Sequence, residues 1–354
     1  MNLTLLDKLV NAVLYEGYIL YPYRPSVKNR QRWTFGGLYP RAYSEAQTGS
    51  DAWAMQTECV VQGDEQSALE VRVRFLHLVN RLVGQFQQPR QQLSEGVEPP
   101  YRLVDSLQVG ERLAQTWQEA VEREVAADKL QLESLLRQPW RGDFTFAGGR
   151  RCEPLEYPES GIVGMFVREQ ETINGLLEVA AERAEGNLFK VRVRIENCTE
   201  LPRSTENSRD NALMRCLVST HTILNMTGGE FVSSLDPPPQ AQDLVATCQN
   251  MGAWPVLVGA NGERDTLLSS PIILYDYPQI AAESPGELFD NTEIDEILSL
   301  RILTLTDEEK RTAAALDDRV RSLLVRTEAL DRGQMLGLHG TVRGLRPVPQ
   351  GELS

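Results

Sequence analysis

The chain has 354 residues, of which 41% are hydrophobic and 24% are charged, and it carries a net charge of −14. Because a single hydrophobic core stops growing at roughly 250–300 residues, this length predicts two or three domains. The acidic balance excludes general binding to DNA or RNA, which needs Lys and Arg in excess on one face.

The cysteine pattern and the apolar runs indicate a cytoplasmic protein. The five cysteines lie far apart with no C-x-x-C pair, and the three histidines show no ligand spacing with them. Neither a disulfide framework nor a structural zinc site is therefore expected. No run approaches the roughly 18 apolar residues that span a bilayer, and Asp7 and Lys8 interrupt the first apolar pattern, unlike a signal peptide. We expect no membrane attachment, no metal and no cofactor.

The N-terminal part of the chain predicts a short helix followed by a cationic, aromatic-rich stretch. Residues 14–40, here named the basic aromatic segment, contain no acid between Glu16 and Glu45, although the chain as a whole is acidic. Arg supplies fork-shaped donors and aromatic rings supply rigid contact area, so the segment predicts a binding site for an anion or a protein. The alternative is that the rings fill the core and the cations are solvated. The candidate binding residues are Tyr23, Arg24, Lys28, Arg30, Arg32 and Trp33.

Two stretches with strict alternation predict amphipathic strands. Leu69–Leu78 and Leu188–Ile195 alternate valine with arginine, so each strand should bury one face and expose the other. A gap-free shift of 120 residues aligns their Val-Arg-Val-Arg sequences, and a glycine-containing turn precedes each. We interpret the surroundings, at 53–80 and 173–200, as β-hairpin modules of a duplicated β-sandwich. The alternative is that any two amphipathic strands look alike over six residues. The spacing of apolar residues over 111–136 fits either a helix or a twisted strand, and it does not distinguish the two.

After Pro202 the pattern changes to short helices and short apolar strands. Strands that apolar are normally buried on both faces, in a layer covered by helices. The predicted elements are a helix at Asp210–Val218, a hairpin of Thr220–Asn225 with Glu230–Ser234, a helix at Ala241–Met251, strands at Trp254–Gly259 and Pro271–Tyr275, and a last helix from Thr306 to about Thr327. The predicted fold class is α+β, with a β-sandwich-like part over 1–203, a mixed α/β domain over 204–340 and a loose tail over 341–354.

An acidic stretch lies between Arg264 and Arg301, where eight acids occur without Lys or Arg. Carboxylates at this density can hold a hard cation, but their spacing fits no calcium loop, so no metal ligands are assigned. The stretch predicts an acidic surface that faces a partner, with plain solvation as the alternative. Its candidate residues are Asp276, Glu283, Glu287 and Asp290.

Catalytic motifs are missing from the sequence. There is no G-x-S-x-G elbow, no phosphate loop and no G-x-G-x-x-G after a strand. His77 continues the apolar face of its strand, which is typical of a core histidine. No catalytic residue is therefore assigned. Whether the protein is an enzyme stays open, and the sequence favours a protein that is not one.

Several segments at both ends of the chain have distinctive sequences. The main ones are LYEGYILYPYR (14–24), RWTFGGLYP (32–40) and SSPIILYDYPQIAAESPGELFDNTEIDEILSLRILTLTDEEK (269–310). They resemble a bacterial family whose genes are found in operons for uptake nickel–iron hydrogenases. The resemblance implies a cytoplasmic accessory role in making, assembling or supporting a hydrogenase. The family carries no established catalytic motif, so no active-site residue is transferred. The resemblance therefore implies a bound hydrogenase subunit or maturation factor rather than a reaction.

Three hypotheses follow for the function. The first is a non-enzymatic accessory protein that binds a protein partner or a second copy of itself. The second is an enzyme of unrecognised type with a pocket near Trp254–Asp276, which a deep pocket lined by His221, Asp276 or His339 would favour. The third is a β-sandwich module that binds an anion or a glycan.

Overall fold

In a computed structural model, the structure describes residues 9–11, 14, 36–47, 49, 51–93, 98–202, 208–278, 303, 305–314 and 318–329. The chain divides into two compact units, Met1–Gln279 and Ile280–Ser354. The expected tail at 341–354 lies outside the described residues.

The described residues form mostly β-strands. In chain order the strands are β1 (Ala54–Gln62), β2 (Ala68–Arg90), β3 (Arg102–Val104), β4 (Ser106–Val109), β5 (Arg112–Gln115), β6 (Trp117–Gln131), β7 (Trp140–Phe146), β8 (Gly149–Tyr157), β9 (Gly161–Gln170), β10 (Ile173–Arg183), β11 (Leu188–Asn197), β12 (Val218–Thr227), β13 (Glu230–Phe231), β14 (Trp254–Leu257) and β15 (Thr266–Ser270). The helices of the first unit are α1 (Arg41–Ala46), α2 (Leu132–Arg137), α3 (Arg209–Leu213) and α4 (Gln242–Ala246), and those of the second are α5 (Asp307–Ala314) and α6 (Asp318–Glu328).

The strands of the first unit pair into two large antiparallel sheets. The five-stranded sheet has the order β13-β1-β11-β10-β7. The larger sheet has the order β14-β15-β12-β2-β9-β8, and β6 and β3 also pair with β2. The first half of β2 pairs with β12 and β6, and its second half pairs with β9 and β3. β4 and β5 form a separate hairpin.

The two sheets share one hydrophobic core. Val71 and Val73 of β2 lie in the same buried cluster as Val191 and Val193 of β11. Alternation explains this, because every second residue of each strand points towards the facing sheet. The predicted α+β fold class, with a β-sandwich-like part, is therefore confirmed.

The outer faces of the two valine–arginine strands differ. Along β11 buried residues alternate with half-buried ones, as the sequence predicts. Along β2 the alternation holds from Leu69 to Phe75, with Arg72 exposed, but Leu76 and Leu78 lie in a second core that also contains Leu14 and Leu213. The prediction that this second face meets water is therefore wrong only at the end of the predicted strand.

The predicted hairpin at 173–200 is confirmed, and the one at 53–80 is wrong. β10 pairs with β11 from Gly175–Asn197 to Arg183–Phe189. β1 instead pairs with β11 and β13, while β2 belongs to the other sheet. Residues 63–67 carry the chain between the sheets, and Asp64 Oδ1 fixes this turn by accepting the N–H groups of residues 66 and 67. The strand pairing therefore shows no duplicated hairpin.

Residues 111–136 are strand rather than helix for most of their length, as β5 and β6 followed by α2. The predicted hairpin of residues 220–225 with 230–234 is wrong, because β12 pairs with β15 and β2 and β13 pairs with β1. The second apolar strand lies at Thr266–Ser270 rather than at residues 271–275. β14 is an edge strand of an antiparallel sheet rather than part of a layer between helices.

The domain boundary expected near residue 203 does not coincide with a break in the sheets. β12, β14 and β15 join the sheet of β2, and the first compact unit continues to Gln279. In the second unit, α5 and α6 are joined by an ion pair of 2.9 Å between Lys310 and Glu328.

Candidate functional site

A cavity of about 250 Å³ lies beside the segment Gly36–Tyr39 in the first unit. Its lining comes from parts of the chain that are far apart in sequence, and most of it is apolar. The apolar lining residues are Leu38, Met55, Leu213, Val218, Trp254 and Pro271, and the polar ones are Tyr39, Asp51 and Arg209.

Two glycines let the chain pass closely along this cavity. Gly36 has φ +56°, and a Cβ there would lie 2.5 Å from Cγ of Pro271. A Cβ on Gly37 would lie 3.1 Å from Sγ of Cys216. Only glycine adopts this φ without strain and leaves this space empty, so the pair sets the path of the wall.

The wall is fixed to β12 next to a β-bulge. Leu38 and Leu217 exchange backbone hydrogen bonds of 2.9 and 3.0 Å, and Thr220 N–H donates to Gly36 O over 3.0 Å. The pairing of β12 with β2 shifts register between Val218 and residue 221, and Ser219 has φ +53°. Bulges re-aim side chains at functional sites, and this one lies where the cavity begins.

A charged pair and a phenol form the polar side of the cavity. Arg209 donates from Nε to Asp51 Oδ2 over 3.2 Å, and from Nη2 to Asp51 Oδ1 over 3.4 Å and to the Tyr39 hydroxyl over 2.6 Å. The Arg209 guanidinium also stands 5.3 Å from the Tyr39 ring centroid. Burial raises the pKa of Tyr39 above its usual value, so its hydroxyl stays protonated at neutral pH.

Exposed apolar side chains surround β14 next to the cavity. Among the described residues, five of the eight large hydrophobic side chains with high exposure lie between residues 235 and 275. Tyr275 is 79% exposed and Ile273 is 70% exposed, and Trp254 at 44% also lines the cavity. We name this set the β14 patch, and its members are Leu235, Met251, Trp254, Ile273 and Tyr275.

Hydrogen bonds hold the β14 patch along the outer edge of β14. Ser234 Oγ donates to Pro255 O over 2.7 Å, and Tyr277 N–H donates to Leu257 O over 2.7 Å. Leu257 N–H donates to Asp276 Oδ1 over 2.8 Å. The edge is therefore occupied by its own chain, a common protection of edge strands.

Of the acidic candidates, Asp276 lies at this edge and its carboxylate is engaged within the chain. Besides the N–H of Leu257, it accepts a hydrogen bond from the Ser233 hydroxyl. Glu283, Glu287 and Asp290 lie outside the described residues.

The six candidates of the basic aromatic segment, Tyr23, Arg24, Lys28, Arg30, Arg32 and Trp33, also lie outside the described residues. The end of that segment is described, and it forms the cavity wall at Gly36–Tyr39. The cavity therefore begins where the predicted binding segment ends in sequence.

Neither of the two described histidines lines the cavity. Nε2 of His77 lies 2.7 Å from Glu171 O, and Nδ1 of His221 lies 3.0 Å from Ser219 O. Both residues are fully buried, and burial lowers the pKa of each to about 4. The interpretation of His77 as a core histidine is confirmed, and His339 lies outside the described residues.

Of the three polar residues of the cavity, Tyr39 lies in the basic aromatic segment, whereas the other two gave no signal in the sequence. Asp51 and Arg209 are separated by 158 positions and belong to no motif. The two glycines do lie in RWTFGGLYP (32–40), one of the segments that carry the resemblance.

In the described ranges, no group of three or more His, Cys, Asp or Glu side chains is arranged to hold a metal ion. No helix within these ranges is both long and apolar enough to cross a lipid bilayer. No protein-family model matches the chain, and a search of the curated proteins found no match.

Proposed function

We propose that this chain is a non-enzymatic, cytoplasmic accessory protein that binds another protein through the β14 patch and the adjoining cavity. The observation that carries the proposal is the concentration of exposed apolar side chains at β14, with Ile273 and Tyr275 more than two-thirds exposed. Exposed apolar side chains concentrated beside a pocket are typical of protein interfaces, where Trp, Tyr and Met are enriched. The resemblance to the hydrogenase-operon family suggests a hydrogenase subunit or maturation factor as the partner.

The edge of β14 favours side-chain contacts over strand addition. A peptide that extends the sheet needs free N–H and C=O groups along the edge. Here Pro255 has no N–H, and its carbonyl and both backbone groups of Leu257 are already hydrogen-bonded. A partner therefore meets rings and alkyl groups, with Trp254 and Tyr275 as the expected anchors.

The chemistry of the cavity favours binding over catalysis. Asp51 and Arg209 are paired with each other, and Tyr39 stays protonated. The nearby Cys216 is fully buried, and burial raises the pKa of its thiol well above the usual value. A nucleophile needs a low pKa or an adjacent base, and neither is found among these residues.

Affinity capture from the native host tests the proposal, with the full chain as bait at low and high salt. The wild type is compared with the double variant Ile273→Ser/Tyr275→Ser. Leu103→Ser is the matched control, because Leu103 is 55% exposed on β3 and pairs with the far half of β2. We expect the wild type and the control to retain one protein at both salt concentrations, since apolar contacts are not screened, and the double variant to recover at least tenfold less.

Two results would count against this account. Equal recovery by the double variant removes the β14 patch as the binding surface. If capture depends on the patch but recovers no hydrogenase subunit or maturation factor, only the proposed identity of the partner is wrong. A thermal shift with phosphates or sugars, together with unchanged capture, favours the anion- or glycan-binding module instead.

A further inference from the structure

We infer that the cavity beside Gly36–Tyr39 recognises a neutral amide group, that is, an Asn or Gln side chain or a peptide unit within an apolar part of the partner. This inference rests on the proposed function, because it names what the partner inserts next to the β14 patch. Trp254 connects the two features, since it lines the cavity and is also 44% exposed.

The size and lining of the cavity fit one side chain rather than a large ligand. Pockets for drug-sized molecules usually enclose about 300–1,000 Å³, and this cavity encloses about 250 Å³. Leu38, Met55 and Leu213 give it an apolar wall for methylene groups. The polar groups of its lining are gathered around Arg209, so an inserted chain places its own polar group there.

The hydrogen-bonding groups that remain at Arg209 define the complementary group. Nε and Nη2 are used on Asp51 and Tyr39, whereas the two N–H groups of Nη1 have no acceptor among the described residues. The Tyr39 hydroxyl accepts from Arg209, and its own proton has no acceptor in the described part of the chain. Asp51 Oδ2 accepts from Arg209 and from the Tyr43 hydroxyl, the latter over 3.5 Å, whereas Oδ1 accepts only from Arg209 among the described residues and keeps a lone pair. Donors beside an acceptor match a carbonyl oxygen beside an N–H, which is an amide.

The charges of the wall select against ionised groups. Arg209 and Asp51 neutralise each other at 3.2 Å, and both are partly buried, with side-chain exposures of 35% and 22%. A carboxylate gains the free N–H groups of Arg209 but is repelled by Asp51. A cation gains Asp51 but is repelled by Arg209. Because burying an uncompensated charge is costly, a neutral dipole fits best.

Three probes that share the leucine side chain and differ in charge test this on the full chain. They are N-acetyl-L-leucinamide, which is neutral, N-acetyl-L-leucine, which is an anion, and L-leucinamide, which is a cation. Binding is followed by NMR at the Trp254 indole N–H and at the amides of Gly36 and Gly37. We expect the neutral amide to shift these signals at a concentration at least tenfold lower than either charged probe.

Arg209→Lys is the informative variant, because it keeps the positive charge for Asp51 but removes the free Nη1 N–H groups. We expect it to weaken binding of the neutral probe about tenfold. Arg194→Lys, whose arginine pairs with Glu196 on β11, is the control and should bind as the wild type does. A folded-state spectrum of Arg209→Lys excludes simple unfolding as the cause.

Tighter binding of either charged probe, no binding of any probe, or unchanged binding by Arg209→Lys would each overturn the inference. These results leave the capture experiment untouched, because the patch variants there do not alter Arg209 or Asp51. Conversely, if the neutral amide binds but the capture experiment recovers no partner, the proposed function is wrong while the inference about the cavity stands.

Discussion

Asn197 connects three separate segments of the chain beside the cavity. Its side-chain N–H groups donate to Leu38 O over 2.7 Å and to Arg215 O over 2.8 Å, and its Oδ1 accepts from Thr199 N–H over 2.9 Å. The residue is 1% exposed and its amide is fully used. A buried amide of this kind fixes position because no solvent competes for its partners.

We predict that Asn197→Ala lowers the free energy of unfolding by about 2–4 kcal/mol, because three hydrogen bonds are lost and their partners stay buried. Asn187→Ala is the control, since the Asn187 side chain is exposed in a turn. Urea denaturation measures both. Equal stability of the two variants would show that Asn197 does not hold these segments.

The two buried histidines predict a loss of stability in acid. In the unfolded chain a histidine ionises near pH 6.5, whereas the pKa of folded His77 and His221 is lowered to about 4, chiefly by desolvation. Below pH 6.5 the unfolded state therefore binds protons that the folded state does not. Stability falls by about 1.4 kcal/mol per pH unit for each histidine as the pH drops from 6.5 towards 4, and neither contributes above 6.5.

Replacing each histidine by an amide residue removes its contribution to the pH dependence of stability. Gln can replace Nε2 of His77, and Asn can replace Nδ1 of His221. We predict that His77→Gln and His221→Asn each reduce the stability difference between pH 7 and pH 5 by about 2 kcal/mol. Urea denaturation at both pH values measures it. A pH dependence identical to that of the wild type would mean that these side chains ionise in the folded state.

For single residues, the sequence predicted whether a side chain is buried better than it predicted which residues that side chain contacts. The alternating pattern placed His77 in the core, because burial on a strand follows a period of two. It could not predict Asp51 beside Arg209, since the two residues are 158 positions apart and meet only when α3 packs in the folded unit. Asp276 was visible as an acid, but its bond to Leu257 depends on the path of the chain around β14.

β2 pairs with more strands than any other strand of the larger sheet. An ion-pair network joins β2 to its neighbours β6 and β9. Glu119 of β6 accepts from Arg81 of β2 and from Arg168 of β9, each over 2.7 Å. Arg81 is only 6% exposed and stands 4.9 Å from the ring centroid of Phe166. Two arginines thus share the Glu119 carboxylate in a partly dry environment, and Arg168 also pairs with Glu153 over 2.5 Å.

We predict that Glu119→Gln lowers the free energy of unfolding by about 2–3 kcal/mol, because it removes the carboxylate charge that pairs with the buried Arg81. The control is Glu45→Gln, whose partner Arg41 is 60% exposed, and which should change nothing measurable. Thermal denaturation of both variants decides. If Glu119→Gln melts like the wild type, the network adds no stability.

The pattern of an element predicts its type only where tertiary contacts agree with it. β11 follows its alternation throughout, because one face packs and the other carries ion pairs. β6 shows helical spacing but is a strand, because β2 offers it a partner over residues 68–81. The 53–80 hairpin fails for the same reason. The better partner of β1 is β11, where Cys59 pairs with Val191, 132 residues further along the chain.

The whole first unit depends on pairings between distant parts of the chain. β12 pairs with β2 from Val218–Leu76 to Thr227–Ala68, and β13 pairs with β1. Leu224 and Met226 of β12 also fill the shared core. A fold of this kind closes only when residues beyond 203 are present.

We predict that a fragment of residues 1–279 unfolds cooperatively, whereas residues 1–203 do not, because the shorter fragment leaves one edge of β2 unpaired and the core open. Near-ultraviolet circular dichroism during urea denaturation distinguishes the two. Cooperative unfolding of residues 1–203 would restore the boundary that the composition suggested.

If the molecule works by binding a protein at the β14 patch, a photocrosslinker placed in the patch captures that protein. A benzophenone amino acid is placed at Tyr275 in the full chain, or at Leu103 as the control, and irradiated in the native host. We expect one discrete adduct from position 275, suppressed by excess wild-type chain, and none from position 103. Equal adducts from both positions, or none from 275, would contradict it.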